Sequence, residues 1–401
     1  MGHWYGPRVA ATDYAITCEG LSFLQKKHSM GQSPTGAPVL SPHLQEVLWY
    51  TERGIQNESG VQAMYPLGKL PSEHLARLLA RQAPSDPRVV LGPGIGCDAA
   101  VIDCCAPSCG QAGRYLVAKT DPITFASDEI GWYAVHVNAN DVACTGAAPR
   151  WFLATLLLPE DRTPPTLVDA IFDQIANACR ELDVTLVGGH TEITHRLDRP
   201  IVVGCMLGEV APEKLVRPDG AQPGDALLLT KGIAVEGTAI IAREIGANGL
   251  GRDFLERCRG FLHTPGISVV RDAATAVAAG RVHAMHDPTE GGLATGLLEI
   301  AQAGGVGLEV QEDAIPILAE TQTLCSRLGL DPLGLIASGA LLLAVAPEDA
   351  DAVLSALEEA GILANCIGQV VEPERGVALR GSTGARPLPR FERDEIARLF
   401  E

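Results

Sequence analysis

Three short stretches of the chain each end an apolar run with a carboxylate beside glycine or asparagine. They are Gly94-Ile-Gly-Cys-Asp98-Ala-Ala-Val-Ile-Asp103, Val117-Ala-Lys-Thr-Asp121-Pro-Ile-Thr, and Val137-Asn-Ala-Asn140-Asp141-Val-Ala-Cys-Thr-Gly146. Hard cations such as Mg²⁺ take oxygen ligands and usually hold phosphates as well, so the clustering points to nucleotide chemistry. Gly94 and Gly96 would let the backbone approach a ligand closely ahead of Asp98; a glycine turn with a capping Asp reads equally well. Asp103, at an odd offset from Asp98, reads as structural. Asp121 would end a strand, where ligand groups of α/β sheets collect, or begin an Asp-Pro turn. Asn140 and Asp141 interrupt an otherwise apolar helix, with Asn138, Asp141 and Thr145 on one face. Unpaired there, each would cost about 1–3 kcal/mol, so a ligand, a metal or a neighbouring subunit is expected to partner them.

Two further turns carry candidate chemistry. Gly188-Gly-His190-Thr-Glu192 follows a short apolar run and reads as a tight turn presenting Thr191 and Glu192. His286-Asp287-Pro-Thr289-Glu-Gly291-Gly292 precedes a helix, whose N-terminus favours anions, although plain capping by Asp287 or Thr289 serves as well. Neither a P-loop nor a G-x-G-x-x-G opening a helix is present, so the ordinary nucleotide folds are not indicated.

The elements that must position these residues follow from periodicity. Helices are expected where Leu75, Leu78 and Leu79 recur, over residues 129–145 and over 166–182. Further helices are expected over 236–246, 292–303 and 348–360, with a short one over 44–55. Strands are expected over 88–91, 115–118, 151–158, 184–187, 201–207, 226–229 and 340–345. Residues 1–65 read as an extension with a Gly/Pro/Ser-rich linker. Residues 66–218 form a first domain and 219–401 a second, with the boundary in Pro218-Asp-Gly-Ala-Gln-Pro-Gly-Asp225. Two α/β or α+β domains result.

Composition narrows the function. A net charge of −18 argues against nucleic acid and membrane surfaces as partners, but not against a nucleotide neutralised locally by metal and backbone N–H groups. Without an eighteen-residue apolar run or signal-peptide features, a cytoplasmic location is expected. The eleven cysteines read mainly as buried thiols, and Cys97, Cys104, Cys105 and Cys109 lack the spacing of a metal cluster.

In their order, these motifs resemble the aminoimidazole ribonucleotide synthetase superfamily, most of all its hydrogenase maturation (carbamoyl-dehydratase) branch. The carriers are Gly-Cys-Asp98-Ala-Ala-Val, Asp121-Pro-Ile-Thr, Asn140-Asp141 to Gly146, Glu236-Gly and Asp287-Pro-Thr-Glu-Gly-Gly-Leu-Ala, with Leu335-Ile-Ala-Ser338-Gly339 near the end. The resemblance spans residues 67–401. It implies an N-terminal α/β domain closing a β-barrel across a homodimer, a C-terminal α/β sandwich, and ATP with Mg²⁺ between them. It further implies metal ligation by Asp98, Asp121 and Asp141. Gly94, Gly96, Asn140, Gly188, Gly189, Thr191, Thr289 and Gly291 would line the nucleotide or substrate, and Asp287 would orient or deprotonate a small acceptor. The chain departs from the family at Cys97 and His190, where relatives often carry acids, and its Arg398-Leu-Phe-Glu401 does not match the terminal cysteine of the hydrogenase factor. The expected function is an ATP- and Mg²⁺-dependent activation or phosphorylation of a small substrate. The rivals are a nucleotide-binding accessory protein and a phosphotransferase like selenophosphate synthetase or thiamine-monophosphate kinase.

Overall fold

The computed structural model describes residues 72–79, 86–104, 113–124, 128–244, 250–382 and 384–399. The helix expected over residues 44–55 lies outside them, as do Cys105 and Cys109. A short helix α1 (Ser72–Leu79) precedes a first sheet. Its strands β1 (Val89–Leu91), β2 (Ala100–Asp103), β3 (Tyr115–Ile123), β4 (Ala148–Pro159), β5 (Thr185–Thr194) and β6 (Ile201–Val210) lie in the order β1-β2-β3-β6-β4-β5. All neighbours are antiparallel except β4 and β5, which are joined through the crossover helix α3 (Pro165–Glu181). Helix α2 (Ile130–Cys144) packs with α3 and lies over β3, β4 and β6.

Strand β6 shows why α2 can lie so close. Its residues alternate half-buried and buried, and two buried positions are Gly204 and Gly208. A Cβ at Gly204 would overlap the Asn138 amide, and one at Gly208 would overlap Val142. The helix is therefore buried nearly all round, and its apolar residues Ile130, Tyr133, Ala134, Val135, Ala139 and Val142 join the first core. Such a helix has no polar face to give to water.

The second sheet has the order β13-β12-β9-β11-β7-β10-β8. These are β7 (Ala226–Thr230), β8 (Val282–His286), β9 (Gly307–Gln311), β10 (Leu342–Val345), β11 (Ala364–Val371), β12 (Val377–Gly381) and β13 (Gly384–Pro387). Only β9 and β12 are parallel neighbours. Leu227, Leu229, Leu342 and Ala344 enter one core with α7 (Gly292–Gly304). Leu228, Leu343 and Val345 enter another with α6 (Val270–Ala279) and α9 (Ala350–Glu359). Helices thus cover both faces, which explains why these strands read as unbroken apolar runs rather than alternating ones. Helices α4 (Val235–Glu244), α5 (Arg252–Arg259) and α8 (Ala319–Leu328) build a fourth apolar cluster.

Two expectations fail locally. The strand expected over 184–187 does not turn at Gly188-Gly189; β5 runs on to Thr194. Gly189 adopts φ 151° and lies so close to the Ala154 carbonyl that a Cβ would collide with it. Gly189 therefore serves close strand pairing with β4 rather than a turn. Likewise Asp121 does not end its strand. Pro122 and Ile123 continue β3 opposite Val203 and Val202.

The α2–α3 contact gives a test. A Cβ on Gly131 would lie 2.5 Å from the Ile171 carbonyl oxygen and 2.9 Å from Ile175 Cγ1. Helix propensity favours Ala over Gly by about 1 kcal/mol, but overpacking against backbone costs about 1–3 kcal/mol. Gly131→Ala is expected to lower stability in urea unfolding; a gain would mean that the helices are not packed this closely.

Candidate active site

Four carboxylates meet where the ends of the two sheets approach each other. Asp98 lies in the loop before β2, Asp121 in β3, Asp141 in the last turn of α2, and Asp287 directly after β8. Lys119, two residues before Asp121 and so on the same face of β3, stands among them. Its Nζ is 3.1 Å from Asp141 Oδ2 and 3.3 Å from Asp121 Oδ2. Burial opposes the ammonium charge, but Asp141, Asp121 and Asp98 outweigh it and hold its pKa above the usual lysine value. Burial pushes the Asp141 carboxyl up, and Lys119 is the neighbour that pulls it back.

His286 ties the second sheet to this centre. Its Nδ1 is 3.0 Å from Asp98 Oδ2, and its Nε2 is 2.8 Å from Glu299 Oε2 on α7. Burial opposes the imidazolium, but Asp98 and Glu299 outweigh it and hold the pKa well above the ordinary histidine value. Asp287 is 2% exposed. Its Oδ1 receives a weak hydrogen bond from the Cys144 thiol at 3.5 Å, while its Oδ2 is buried with no hydrogen-bond partner. Burial, with Asp98 adding to it, lifts the Asp287 carboxyl to about 7.

Asp98, His286 and Asp287 each place one potential ligand atom within 4.8 Å of the others. Two carboxylates, one with an orphaned buried oxygen, suit a hard cation. The imidazole has both nitrogens engaged by carboxylates, so it acts as a clamp on Asp98.

The remaining expected residues hold the elements of this centre together or lie on the exposed strand β5. Asn140 belongs to the first group. Its Nδ2 donates to the Ile267 carbonyl at 2.8 Å and its Oδ1 accepts from the Val269 amide at 2.9 Å, so its amide pins α2 to the segment before α6. Asn138 similarly accepts from the Asp121 amide at 2.8 Å and donates to the Ala134 carbonyl, fixing the backbone from which Asp121 projects. Gly96 (φ 73°) makes its close approach to the Glu299 carbonyl of α7, and Gly94 to Cys97. Gly188, Gly189 and Thr191 lie on the exposed edge strand β5, with His190 beside Glu192. Thr289 O accepts from Gly292 N and Ala337 N, shaping the turn into α7. The Gly291 amide, expected to serve an anion, already donates to Asp394 Oδ2 at 2.8 Å.

Lys119, His286, Glu299, Cys144 and Asp394 were not singled out from the sequence. Lys119 had a signal in its i, i+2 relation to Asp121, and Glu299 in being the sole charged residue of α7. Asp394 comes from more than a hundred residues away in the chain and had none. Glu236, at the start of α4, is 1% exposed, with neither oxygen in a hydrogen bond of ordinary geometry. Burial lifts its carboxyl to about 7; the Ser338 hydroxyl opposes this, and Asp394, Asp287 and Glu290 add to it.

Fold and site together define a two-sheet α/β protein with a carboxylate centre at the sheet junction, unlike P-loop and dinucleotide-binding folds. The chain matches the AIR synthase related protein family, its N-terminal domain over residues 96–210 and its C-terminal domain over residues 222–380. Carbamoyl dehydratase HypE of Rhizobium leguminosarum bv. viciae is 35% identical over 65% of this chain and 74% of its own length. A putative hydrogenase expression/formation protein of Methanocaldococcus jannaschii is 32% identical over 67% of this chain and 81% of its own. The crystal structure of hydrogenase maturation protein HypE in complex with ATP superposes with a TM-score of 0.62 at 29% identity, covering 83% of this chain and 98% of that one. The chain belongs to the AIR synthase related protein family, in the branch of these hydrogenase maturation proteins.

Glu236 yields a pH test. Its folded pKa of about 7 exceeds the ordinary 4.5, so the folded state binds the proton more tightly than the unfolded chain. Stability is then lost as pH rises from about 4.5 to about 7, by on the order of 3 kcal/mol. Glu236→Gln removes that loss. The variant should gain on the parent chain between pH 4.5 and 7.5 in urea titrations; a pH-independent gap would mean that Glu236 titrates normally.

Proposed function

We propose that the chain is an ATP- and Mg²⁺-dependent enzyme that activates an oxygen of a small substrate by phosphorylating it. The observation that carries this reading is the carboxylate centre with its orphaned Asp287 oxygen, in a family whose relatives include an ATP-bound HypE. Asp98 and Asp287 would hold Mg²⁺ through one oxygen each, with Asp121 and Asp141 completing the acidic wall. Bound there, the ion would neutralise phosphate charge and align the γ-phosphoryl group. The acceptor oxygen attacks the γ-phosphorus and the bond to the ADP oxygen breaks. The acceptor's proton would pass to Asp287 Oδ1, the oxygen not given to the ion. His286 keeps Asp98 turned toward the centre, and Asn138 and Asn140 keep β3 and α2 in register with it. Gly94, Gly96, Thr289 and the β5 residues Gly188, Gly189 and Thr191 would border the nucleotide.

The same reading includes a homodimer, and a division into residues 66–218 and 219–401 across Pro218–Asp225. Support for the dimer comes from the face of the first sheet turned away from α2. There Leu153, Leu157, Val203, Cys205 and Leu207 are only half-buried, and the edge strand β5 leaves Val187 and Ile193 52% and 56% exposed. An apolar sheet face with an open edge is a surface that pairs. Closing a barrel with a second copy would cover both.

Two outcomes are expected. Purified protein should bind ATP by calorimetry and form ADP only with Mg²⁺, and Asp287→Asn should lower kcat about 10²–10⁴-fold with its melting temperature kept. Absence of ATP binding would overturn the reading. By light scattering the chain should be a dimer, and Val187→Lys with Ile193→Lys should make it monomeric; an unchanged mass would place the interface elsewhere.

A further inference from the structure

Lys119 occupies a place that the acids alone would assign to a metal. Asp121 and Asp141 come from different elements, β3 and α2, and what joins them is the Lys119 ammonium, 3.3 Å and 3.1 Å from one oxygen of each. The lysine side chain is only 18% exposed and that of Asp141 only 7%, so water does little to screen the pair. A cation bound to the same two oxygens would lie within a few ångströms of the ammonium and be repelled by it. Asp98 and Asp287 are different. Asp141 Oδ2 lacks a hydrogen bond but has the Lys119 ion pair, whereas Asp287 Oδ2 has neither among the described residues. Asp98, His286 and Asp287 each place a ligand atom within 4.8 Å of the others, so the capacity for an added cation lies on the Asp287 side.

We propose that Lys119 is the resident cation of the Asp121–Asp141 seat, so that the centre takes one divalent ion, at Asp98 and Asp287, and not two. Lys119 is then a positioning residue that sets metal stoichiometry. It replaces a charge that would otherwise have to be recruited from solution, and it leaves a fixed ammonium beside the single ion. Lysine can do this because its ammonium is a compact point charge on a flexible stem, whereas the planar fork of arginine fits two divergent carboxylates less well. The proposal concerns the metal seats themselves and rests on the nucleotide-site reading only for its catalytic use.

The test is a Mn²⁺ titration of the full nucleotide-free chain, with free Mn²⁺ counted by its paramagnetic resonance signal. The parent chain should bind one ion. Lys119→Met should bind two, and Lys119→Met with Asp141→Asn, which removes the vacated charge, should return to one. The double variant also guards against misfolding of the single one, because it carries no uncompensated Asp141. Two ions on the parent chain would overturn the proposal, as would one ion on a folded Lys119→Met. Calorimetry with a non-hydrolysable ATP analogue is run separately on the same proteins. A chain that binds one Mn²⁺ but no analogue sinks the nucleotide reading and leaves the lysine assignment standing; one that binds the analogue but two Mn²⁺ does the reverse.

Discussion

The polar residues of α2 are the constraint from which the rest of the structure follows. The helix is enclosed by the first sheet, by α3, and by α6 and β8 of the second sheet's layer. Yet it carries His136, Asn138, Asn140 and Asp141 in its buried length. Leaving such groups unpaired would cost about 1–3 kcal/mol each, so each has to find a partner in a different part of the chain. Asn138 takes the backbone at Asp121, Asn140 takes both sides of residue 268, and Asp141 takes Lys119. One helix thereby fixes β3 and the segment leading to α6, and its last turn sets Asp141 among the other acids. Apolar burial brings the layers together, and these polar pairings decide their register.

The same logic governs the charges. Repulsion from Asp287, Asp98 and Asp121 raises the Asp141 carboxyl, and repulsion from Asp98 raises that of Asp287, in each case on top of what burial does. Lys119 and His286 offset part of this, and each serves more than one acid: Lys119 two aspartates, His286 an aspartate and a glutamate. Removing one partner of a buried pair costs more than the pair itself is worth, because an unpaired charge remains. The centre is consequently stable only as a set, and its uncompensated remainder is centred on Asp287, whose Oδ2 has no hydrogen-bond partner.

Much of the fold was legible in the sequence because the core elements obey simple periods. The amphipathic stripe of α3 gave a helix over 166–182, and one over 165–181 forms; the apolar run after Glu129 gave α2 to within a residue at either end. Strands β8, β9, β11, β12 and β13 were not foreseen, because they are short or irregular and take their identity from neighbours rather than from alternation. At the site, the aspartates were legible because an acid beside glycine or asparagine in an apolar run is costly and therefore conspicuous. Their partners were not. Asn140 looked like a ligand because its need for a partner was visible, whereas the backbone at Ile267 that meets that need is 127 residues away. Gly189 looked like a turn because glycine permits one, whereas here the absence of a Cβ admits the Ala154 carbonyl.

Asp394 shows how such distant partners redirect chemistry. A helix N-terminus is a ready site for phosphate, and α7 begins at Gly292 beside the carboxylate centre. With the Gly291 amide given to a carboxylate of the same chain, that position already holds its anion. Asp394 also accepts from the Ile396 amide, so the carboxylate is fixed to its own segment as well. A phosphate arriving there would have to displace a buried, doubly hydrogen-bonded group. On the proposed reading, attraction for a nucleotide would therefore come from cations rather than from this helix end: from Lys119, and from a metal held by Asp98 and Asp287. In a chain of net charge −18, that reading has the carboxylate centre attract polyphosphate through the positive charge it gathers.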